Sequence, residues 1–433
     1  MSNSFLNFPP YIYKLDTYIY IMYYFNMIDL IEEKEKALIV GIKDKSNVLK
    51  QSYYLEEFQS LVENIDIKVE ESILINLTTP NSSTYISKSN VALIKEYIAT
   101  YDLDIVAFNI SLSARALKNL EAELDICVLD REEVILQIFA SRAQTKEAKI
   151  QVELARCEYS LPRLTRRWAS LSQQRGGVKG SRGKGEQQLE LDRRKVERSI
   201  VKLKEELKHV KQTRETQKKK RIENSLYSFG IIGYTNAGKS TLLNTLTKAN
   251  AYAEDKLFAT LDPQSKKLRL ANGINVDISD TVGFVSNLPH HLIKAFGSTL
   301  EIAKDVDCLI ILLDSSSYNI EAEWETTKEV LESLEIKDKP IITVFNKCDL
   351  QQDEVAISRL GRNIEDGIYI SLKDKDNVDV LLNRMCEVVE ENVKIEEIIL
   401  NYDEQKELAM LYKNKKILSS EHRDDKIYVK YIK

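Results

Sequence analysis

Cysteine is sparse in this chain of 433 residues: Cys127, Cys157, Cys308, Cys348 and Cys386 are odd in number, widely spaced and never set as C-x-x-C. That pattern excludes a disulfide framework, gives no zinc spacing and fits the reducing cytoplasm. Long apolar runs are also missing. The nearest to one, Thr17 to Ile28, is too short to span a bilayer, is flanked by Asp16 and Asp29 and has no small-residue cleavage site. It reads as neither anchor nor signal, so no stable membrane insertion is expected. Glycine is scarce at 14 residues, and 43% hydrophobic with 30% charged residues excludes a collagen-like, low-complexity or wholly disordered chain. The length is about two to three times that of a usual domain, which predicts several cores rather than one.

An excess of positive charge is lacking too. Lys and Arg number 62 against 67 Asp and Glu, a net charge of −5, which as an average argues against a nucleic-acid partner. The average conceals a segregation. Between Ser141 and Ile222 there are 24 Lys and Arg against 10 Asp and Glu, an excess of 14, so the remainder of the chain carries −19.

The residues present divide the chain into five stretches of an α/β multidomain protein. Residues 1–35 are an N-terminal extension in which six of the 21 tyrosines fall between Tyr11 and Tyr24. Met27 opens a more ordinary segment, so the first 26 residues are expected to be a disordered leader or to precede the true start. Residues 36–136 alternate short apolar runs (ALIVGI, ILINLT, DIVAFNI, ICVLD) with helix-like stretches, which predicts an N-terminal parallel α/β domain. Residues 137–224 are a basic helical linker. Ile150, Leu154, Cys157 and Leu161 repeat at spacings of four, three and four, with the helix expected to stop near Pro162. Val196, Ile200, Leu203, Leu207 and Val210 repeat in the same way, and the two stripes predict an antiparallel two-helix coiled coil. The joining Gly-rich loop, 175–186, interleaves Gly176, Gly177, Gly180, Gly183 and Gly185 with Arg175, Lys179, Arg182 and Lys184. Glycine permits close backbone approach and the cations can meet phosphates, so these four are RNA-contact candidates; the plainer reading is a solvated face.

Residues 225–392 carry the chemistry. The strand YSFGII runs into Gly233-Tyr234-Thr235-Asn236-Ala237-Gly238-Lys239-Ser240 and then the helical TLLNTLTK, which is G-x-x-x-x-G-K-S in its strand-to-helix setting. Its amides can wrap phosphates, Lys239 can reach the β and γ phosphates, and Ser240 can bind Mg²⁺. Phe258-Ala259-Thr260-Leu261-Asp262 follows, where Thr260 can complete the Mg²⁺ shell. Asp280-Thr281-Val282-Gly283 ends a further strand, with Asp280 placed to hold a metal-bound water and the Gly283 N–H to face the γ-phosphate. Asn346-Lys347-Cys348-Asp349 ends another. An ionised Asp349 accepts both the ring N–H and the exocyclic amine of guanine, a pair that adenine does not offer, and the backbone of Ser371-Leu372-Lys373 can contact the guanine carbonyl. The order and strand-end placement of all five segments predict a P-loop G domain with a doubly wound, mostly parallel sheet, taking GTP and releasing GDP. Lys239, Thr260 and Gly283 are the catalytic candidates. The glutamine that orients water in many GTPases is replaced by Phe284, which cannot do so; either His290 or His291 substitutes, or both are surface or capping residues of a helix. Slow intrinsic hydrolysis, accelerated by a partner that orders this region, is expected. Residues 393–433 read as a small α+β C-terminal domain.

With these motifs assembled, the chain resembles the HflX family of translational GTPases, in the Obg-HflX group. The resemblance rests on QIFASRAQTKEAKIQVELARCEYSLPRLTRRWASLSQQ, GGVKGSRGKGEQQLELDRR, DKLFATLDP and DTVGFVSNLPHHLIKAFGSTLEIAKDVD, and it covers Lys36 to the C-terminus. It implies binding to the large ribosomal subunit and its rRNA, a linker loop reaching toward the peptidyl transferase centre, and splitting, rescue or recycling of ribosomes under stress; separately, a monomer is expected. It also implies a hydrophobic residue where Phe284 stands and, through Asn236, K⁺ stimulation. Three departures stand out: Tyr85-Ile-Ser-Lys-Ser89 in place of a Y-I-G-K-G-like segment, Lys184 in place of proline, and Leu372 in place of alanine. Because of the first, no ATP role is carried over to the N-terminal domain. The competing class is an assembly or RNA-binding scaffold in which nucleotide is structural or regulatory; a protein-partner switch of the small-GTPase kind is a third.

Overall fold

The structure, a computed structural model, describes residues 34–43, 48–77, 79–174, 182–224, 227–247, 258, 264–281, 283–286, 289, 292, 302–336, 339–350, 354–362, 364, 366–393, 395–414, 416–423 and 426–432. The tyrosine-rich leader, Thr17 to Ile28 included, lies outside these residues. Among them no helix is long and apolar enough to cross a membrane.

The N-terminal strands β1 (Lys36–Lys43), β2 (Lys68–Asn76), β3 (Ile105–Phe108) and β4 (Cys127–Asp130) form one parallel sheet in the order β2-β1-β3-β4. Ala37 to Val40 are all buried, as a central strand covered on both faces requires. Leu38 and Val40 pack toward α2 (Lys88–Tyr101) and α3 (Ala114–Leu124). Ala37 and Ile39 pack toward α1 (Val48–Glu63) and α4 (Arg131–Arg142). Helix α4 crosses the boundary read at 136/137, because Val134, Ile135, Leu136, Ile138 and Phe139 complete this core.

Two long helices follow, α5 (Lys146–Gln174) and α6 (Arg182–Asn224), packed against each other, with Lys204 of α6 paired to Glu158 of α5 at 2.8 Å. The stop expected at Pro162 does not occur; α5 continues for twelve residues beyond it, to Gln174. An interior proline costs about 3 kcal/mol, and tertiary contacts on both sides of it offset that. On one face Ala148, Val152, Ala155 and Tyr159 enter the N-terminal core, while Ile150 and Leu154 of the heptad stripe are also buried. Just past the proline, the Arg163 guanidinium donates to the carbonyls of Tyr159 and Leu112 and to Asp130. Asp130 is wholly buried. It caps α4 by accepting from the Glu133 N–H, and it also accepts from Leu112 N–H, the Tyr159 hydroxyl and Arg163 at 2.9–3.1 Å. One carboxylate thus joins sheet end, helix cap and arm. The Gly-rich stretch is also shorter as a loop than expected, since α6 begins at Arg182 and includes Gly183 and Gly185.

The second sheet has the order β10-β9-β8-β5-β7-β6, from β5 (Tyr227–Gly233), β6 (Gln264–Arg269), β7 (Asn275–Asp280), β8 (Cys308–Asp314), β9 (Ile341–Asn346) and β10 (Ile368–Tyr369). Only β6 runs antiparallel, against β7. Helices α7 (Lys239–Thr247) and α10 (Val378–Asn392) supply apolar residues to one core, and α8 (Ile320–Ser333) and α9 (Glu354–Gly361) to another. The chain ends in an antiparallel sheet, β11-β13-β12, from β11 (Ile395–Asn401), β12 (Lys416–Arg423) and β13 (Lys426–Ile432), with α11 (Gln405–Asn414) packed on it through Leu408 and Leu411.

Candidate functional site

Strand β5 ends at Gly233, and α7 starts six residues later at Lys239. A Cβ on Gly233 would lie 2.2 Å from the Leu312 carbonyl oxygen, and one on Gly238, at φ 100°, would lie 2.5 Å from Asn346 Nδ2. Only glycine allows the loop this turn, which presents backbone N–H groups at a helix N-terminus, where anions bind. Lys239 is buried, and its Nζ donates to the Tyr234 carbonyl at 2.6 Å. Burial pulls its ammonium down to about 8, while Asp280 and Glu323 push it back up. At the neighbouring end of β7, Asp280 is wholly buried, and its Oδ2 accepts from Ser240 Oγ at 2.8 Å. A hydroxyl and a carboxylate so placed form an all-oxygen donor pair, the chemistry that suits Mg²⁺.

Beside the loop, side chains from three strand ends come together. Asn346 donates through Nδ2 to the Ala237 carbonyl at 2.8 Å and accepts through Oδ1 from Leu372 N–H at 3.3 Å, tying the phosphate loop to both base motifs. Lys347, at φ 66°, pairs with Asp314 at 2.7 Å. Asp349 accepts from Ser371 Oγ at 2.8 Å and faces Lys373 at 3.8 Å. The Ser371 hydrogen bond is the main reason its carboxyl stays below the usual carboxylate range, so it is an ionised acceptor at neutral pH. Such a carboxylate can take the two donors that guanine offers.

Several expected contact residues spend their side chains on packing. Thr281 Oγ1 donates to the Ile231 carbonyl at 2.8 Å, and Leu372 is buried against Gly238. Phe258 was expected at the nucleotide. Its ring instead lies edge-on to Phe139 of the N-terminal core with centroids 4.8 Å apart, because a buried apolar slot between α4 and the G domain takes it. Phe284 is buried beside Ile232 and Tyr234, while its backbone pairs with the phosphate loop through Thr235 N–H to Phe284 O (2.8 Å) and Phe284 N–H to Gly233 O (3.1 Å). Its ring is therefore enclosed in an apolar core. Asn236, at φ 62°, is exposed at the loop tip. Ala259, Thr260, Leu261, Asp262, Val282, His290, His291, Arg175 and Lys179 lie outside the described residues, as do the side chains of Arg182 and Lys184.

Sequence reasoning missed the polar cluster beside the loop. Glu323 of α8 is buried and accepts from Ser317 Oγ at 2.6 Å and from the hydroxyl of Tyr53, on N-terminal helix α1, at 3.0 Å. Burial raises its carboxyl to about 7, and the two hydroxyls hold it back. The folded protein therefore retains a proton between about pH 4.5 and 7 that the unfolded chain has lost, so this residue's contribution to stability falls as pH rises through that window and is level above it. Both hydroxyls bond Oε1, which an amide also offers. Glu323→Gln is expected to melt a few degrees above wild type at pH 8, with the gap closing toward pH 5, in thermal unfolding followed by circular dichroism.

Three family models match in succession: "GTP-binding GTPase N-terminal" over residues 52–140, "GTP-binding GTPase Middle Region" over 142–221, and "50S ribosome-binding GTPase" over 228–347. The chain is 40% identical to the GTPase HflX of Lacrimispora saccharolytica over 404 residues, 93% of this chain and 94% of that one. It is 34% identical to the GTPase HflX of Escherichia coli over 362 residues, 83% and 84% of the two chains. Among solved structures, a GTP-binding protein from Sulfolobus solfataricus in complex with GDP is 27% identical, covering 82% of this chain and 99% of that one with a TM-score of 0.43.

Proposed function

The chain belongs to the HflX family of GTPases, and from that premise we propose that it uses GTP hydrolysis as a switch on the large ribosomal subunit, splitting or rescuing ribosomes under stress. The observation that carries this reading is the joining of two unlike parts. One is a set of phosphate and guanine motifs at the carboxyl ends of one sheet; the other is a helical arm with 14 excess positive charges, seated on the N-terminal core.

In this reading the phosphate-loop amides and Lys239 hold the β and γ phosphates, Gly283 offers its N–H to the γ-phosphate, and Asp349 with the Ser371–Lys373 backbone selects guanine. Mg²⁺, held by Ser240 and by Asp280 through water, with Thr260 from outside the described residues, would neutralise phosphate charge. Phe284, turned inward, excludes water from its own side and supplies no base, so the group that orients the attacking water is expected to be ordered by the ribosome. The Thr260 and Asp280–Gly283 segments respond to the γ-phosphate and change the fit of the arm to RNA.

Sedimentation with purified ribosomes in GTP, GDP and a non-hydrolysable GTP analogue tests the reading. Tight co-sedimentation with large subunits in the analogue and release in GDP is expected; equal binding in all three states would overturn it. Because each neutralised phosphate contributes about 0.7–0.9 to the slope of log affinity against log salt, replacing Arg175, Lys179, Arg182 and Lys184 together is expected to flatten that slope by about three. An unchanged slope would exclude these four residues from the RNA contact.

A further inference from the structure

Two charged side chains lie buried where the N-terminal domain meets the segments beside the phosphate loop. Arg131, 1% exposed, donates to the Glu57 carboxylate and, at 2.7 Å, to the Ser286 carbonyl. Glu57, on α1, also accepts from the Tyr234 hydroxyl, from Ser286 Oγ at 2.8 Å and from Ser286 N–H at 3.3 Å. The Tyr234 hydroxyl in turn accepts from Ser286 N–H at 2.6 Å. Tyr234 belongs to the phosphate loop, and its carbonyl receives Lys239. Ser286 stands three residues after Gly283. A single carboxylate from the N-terminal domain thus grips both segments between which a γ-phosphate has to sit.

The position of this grip in the fold is informative. Asn109, at the carboxyl end of β3, accepts from Arg131 Nη1, donates through its side chain to the Tyr54 carbonyl of α1 and bonds back to β1 through its own N–H. The cluster therefore lies at the carboxyl ends of the N-terminal strands, beside the β1–β3 boundary where the strand order reverses. That is where open parallel sheets take small ligands. Here the place is filled by Ser286 and the Tyr234 hydroxyl. Phe258, Val285 and Leu292, from the two segments flanking the phosphate site, pack into the same apolar cluster as Phe58, Leu61 and Phe139.

We propose that Glu57, oriented by Arg131, is a positioning residue for GTP hydrolysis: through Tyr234 and Ser286 it fixes Gly283 against the phosphate loop, the N-terminal sheet receiving this segment in place of a small ligand. Without the grip, the segment after Gly283 keeps the two Phe284 backbone bonds to the phosphate loop and loses the side-chain contact that follows them. Gly283 then loses its fixed distance from the γ-phosphate, and small displacements of such a group are costly to turnover.

The test is phosphate release by the full chain without ribosomes, over a range of GTP concentrations, alongside fluorescent GDP affinity and thermal unfolding. Glu57→Ala is expected to lower kcat about tenfold with KM and GDP affinity changed less than twofold. Ser286→Ala is expected to lower kcat in the same way, and the double variant no further than Glu57→Ala alone, because the two act through one contact. Glu57→Gln, which keeps one acceptor oxygen, is expected to recover part of the loss. A double variant that falls by the product of the two single effects would overturn the proposal. Should Glu57→Ala fail to fold, Ser286→Ala and Tyr234→Phe, each deleting one hydroxyl oxygen, decide the matter: unchanged kcat in both, with only the melting point lowered, would make the cluster structural alone.

Discussion

Lys239→Ala is expected to lower kcat/KM for GTP by about three orders of magnitude, read as phosphate release by the purified chain. Its side chain is buried and its ammonium is already held at the Tyr234 carbonyl at 2.6 Å, so little reorganisation is needed for it to meet phosphate oxygens. A preorganised cation in a water-poor site is worth several kcal/mol at the point where charge develops. The same enclosure gives a signature in the intact protein. Burial holds the group at about 8, so above that pH nucleotide binding has to be accompanied by proton uptake. GTP affinity is expected to be level between pH 7 and 7.5 and to fall toward tenfold per pH unit above 8, and Lys239→Ala is expected to lose that slope. Isothermal titration calorimetry in buffers of different ionisation heat measures both. A slope retained in the variant would assign the proton to another group.

The second large effect is expected from Gly283→Ala. An added Cβ would stand 2.8 Å from Thr235 Cγ2, 2.9 Å from Lys239 Nζ and 2.9 Å from Thr235 Cα. The lysine can move, but a backbone carbon of the phosphate loop cannot, so the segment has to retreat and take its N–H out of reach of a γ-phosphate. Loss of one preorganised donor costs about a hundredfold or more in kcat. GDP has no γ-phosphate, so its affinity is expected to change less than threefold. Equal loss of GDP and GTP binding would show instead that the phosphate loop itself had been deformed.

The strand-end clustering of the candidate site was legible because its information is local. Gly233, Gly238, Asp280 and Asn346 each sit at or just beyond the end of an apolar strand, and strand period with turn chemistry places them on one edge of a sheet. The parallel N-terminal sheet was legible for the same reason. The interdomain grip was not, because its partners are remote: Glu57 lies 74 positions from Arg131 and 229 from Ser286. One local sign existed. Arg131 opens α4, and a cation at a helix N-terminus opposes the helix dipole, so a buried acidic partner was to be sought, although nothing nearby in the chain named Glu57. The stop expected at Pro162 failed because intrinsic preference was overridden by packing: Arg163 and Tyr159 bind Asp130, which the helical pattern of α5 alone does not reveal.

That Asp130 junction has a mechanical corollary. Helix α5 has 29 residues, and at a rise of 1.5 Å each it extends about 43 Å. Its first half is seated in the N-terminal core and is pinned there at Tyr159 and Arg163, and the same domain holds Tyr234 and Ser286 through Glu57, so the free end of the arm and the segments beside the phosphate loop are referred to one rigid body. Beyond Arg163 the helix runs on for eleven residues, about 16 Å, so a tilt of about 5° at the junction carries its far end through about 1.4 Å, a displacement set by the length of helix past the pin.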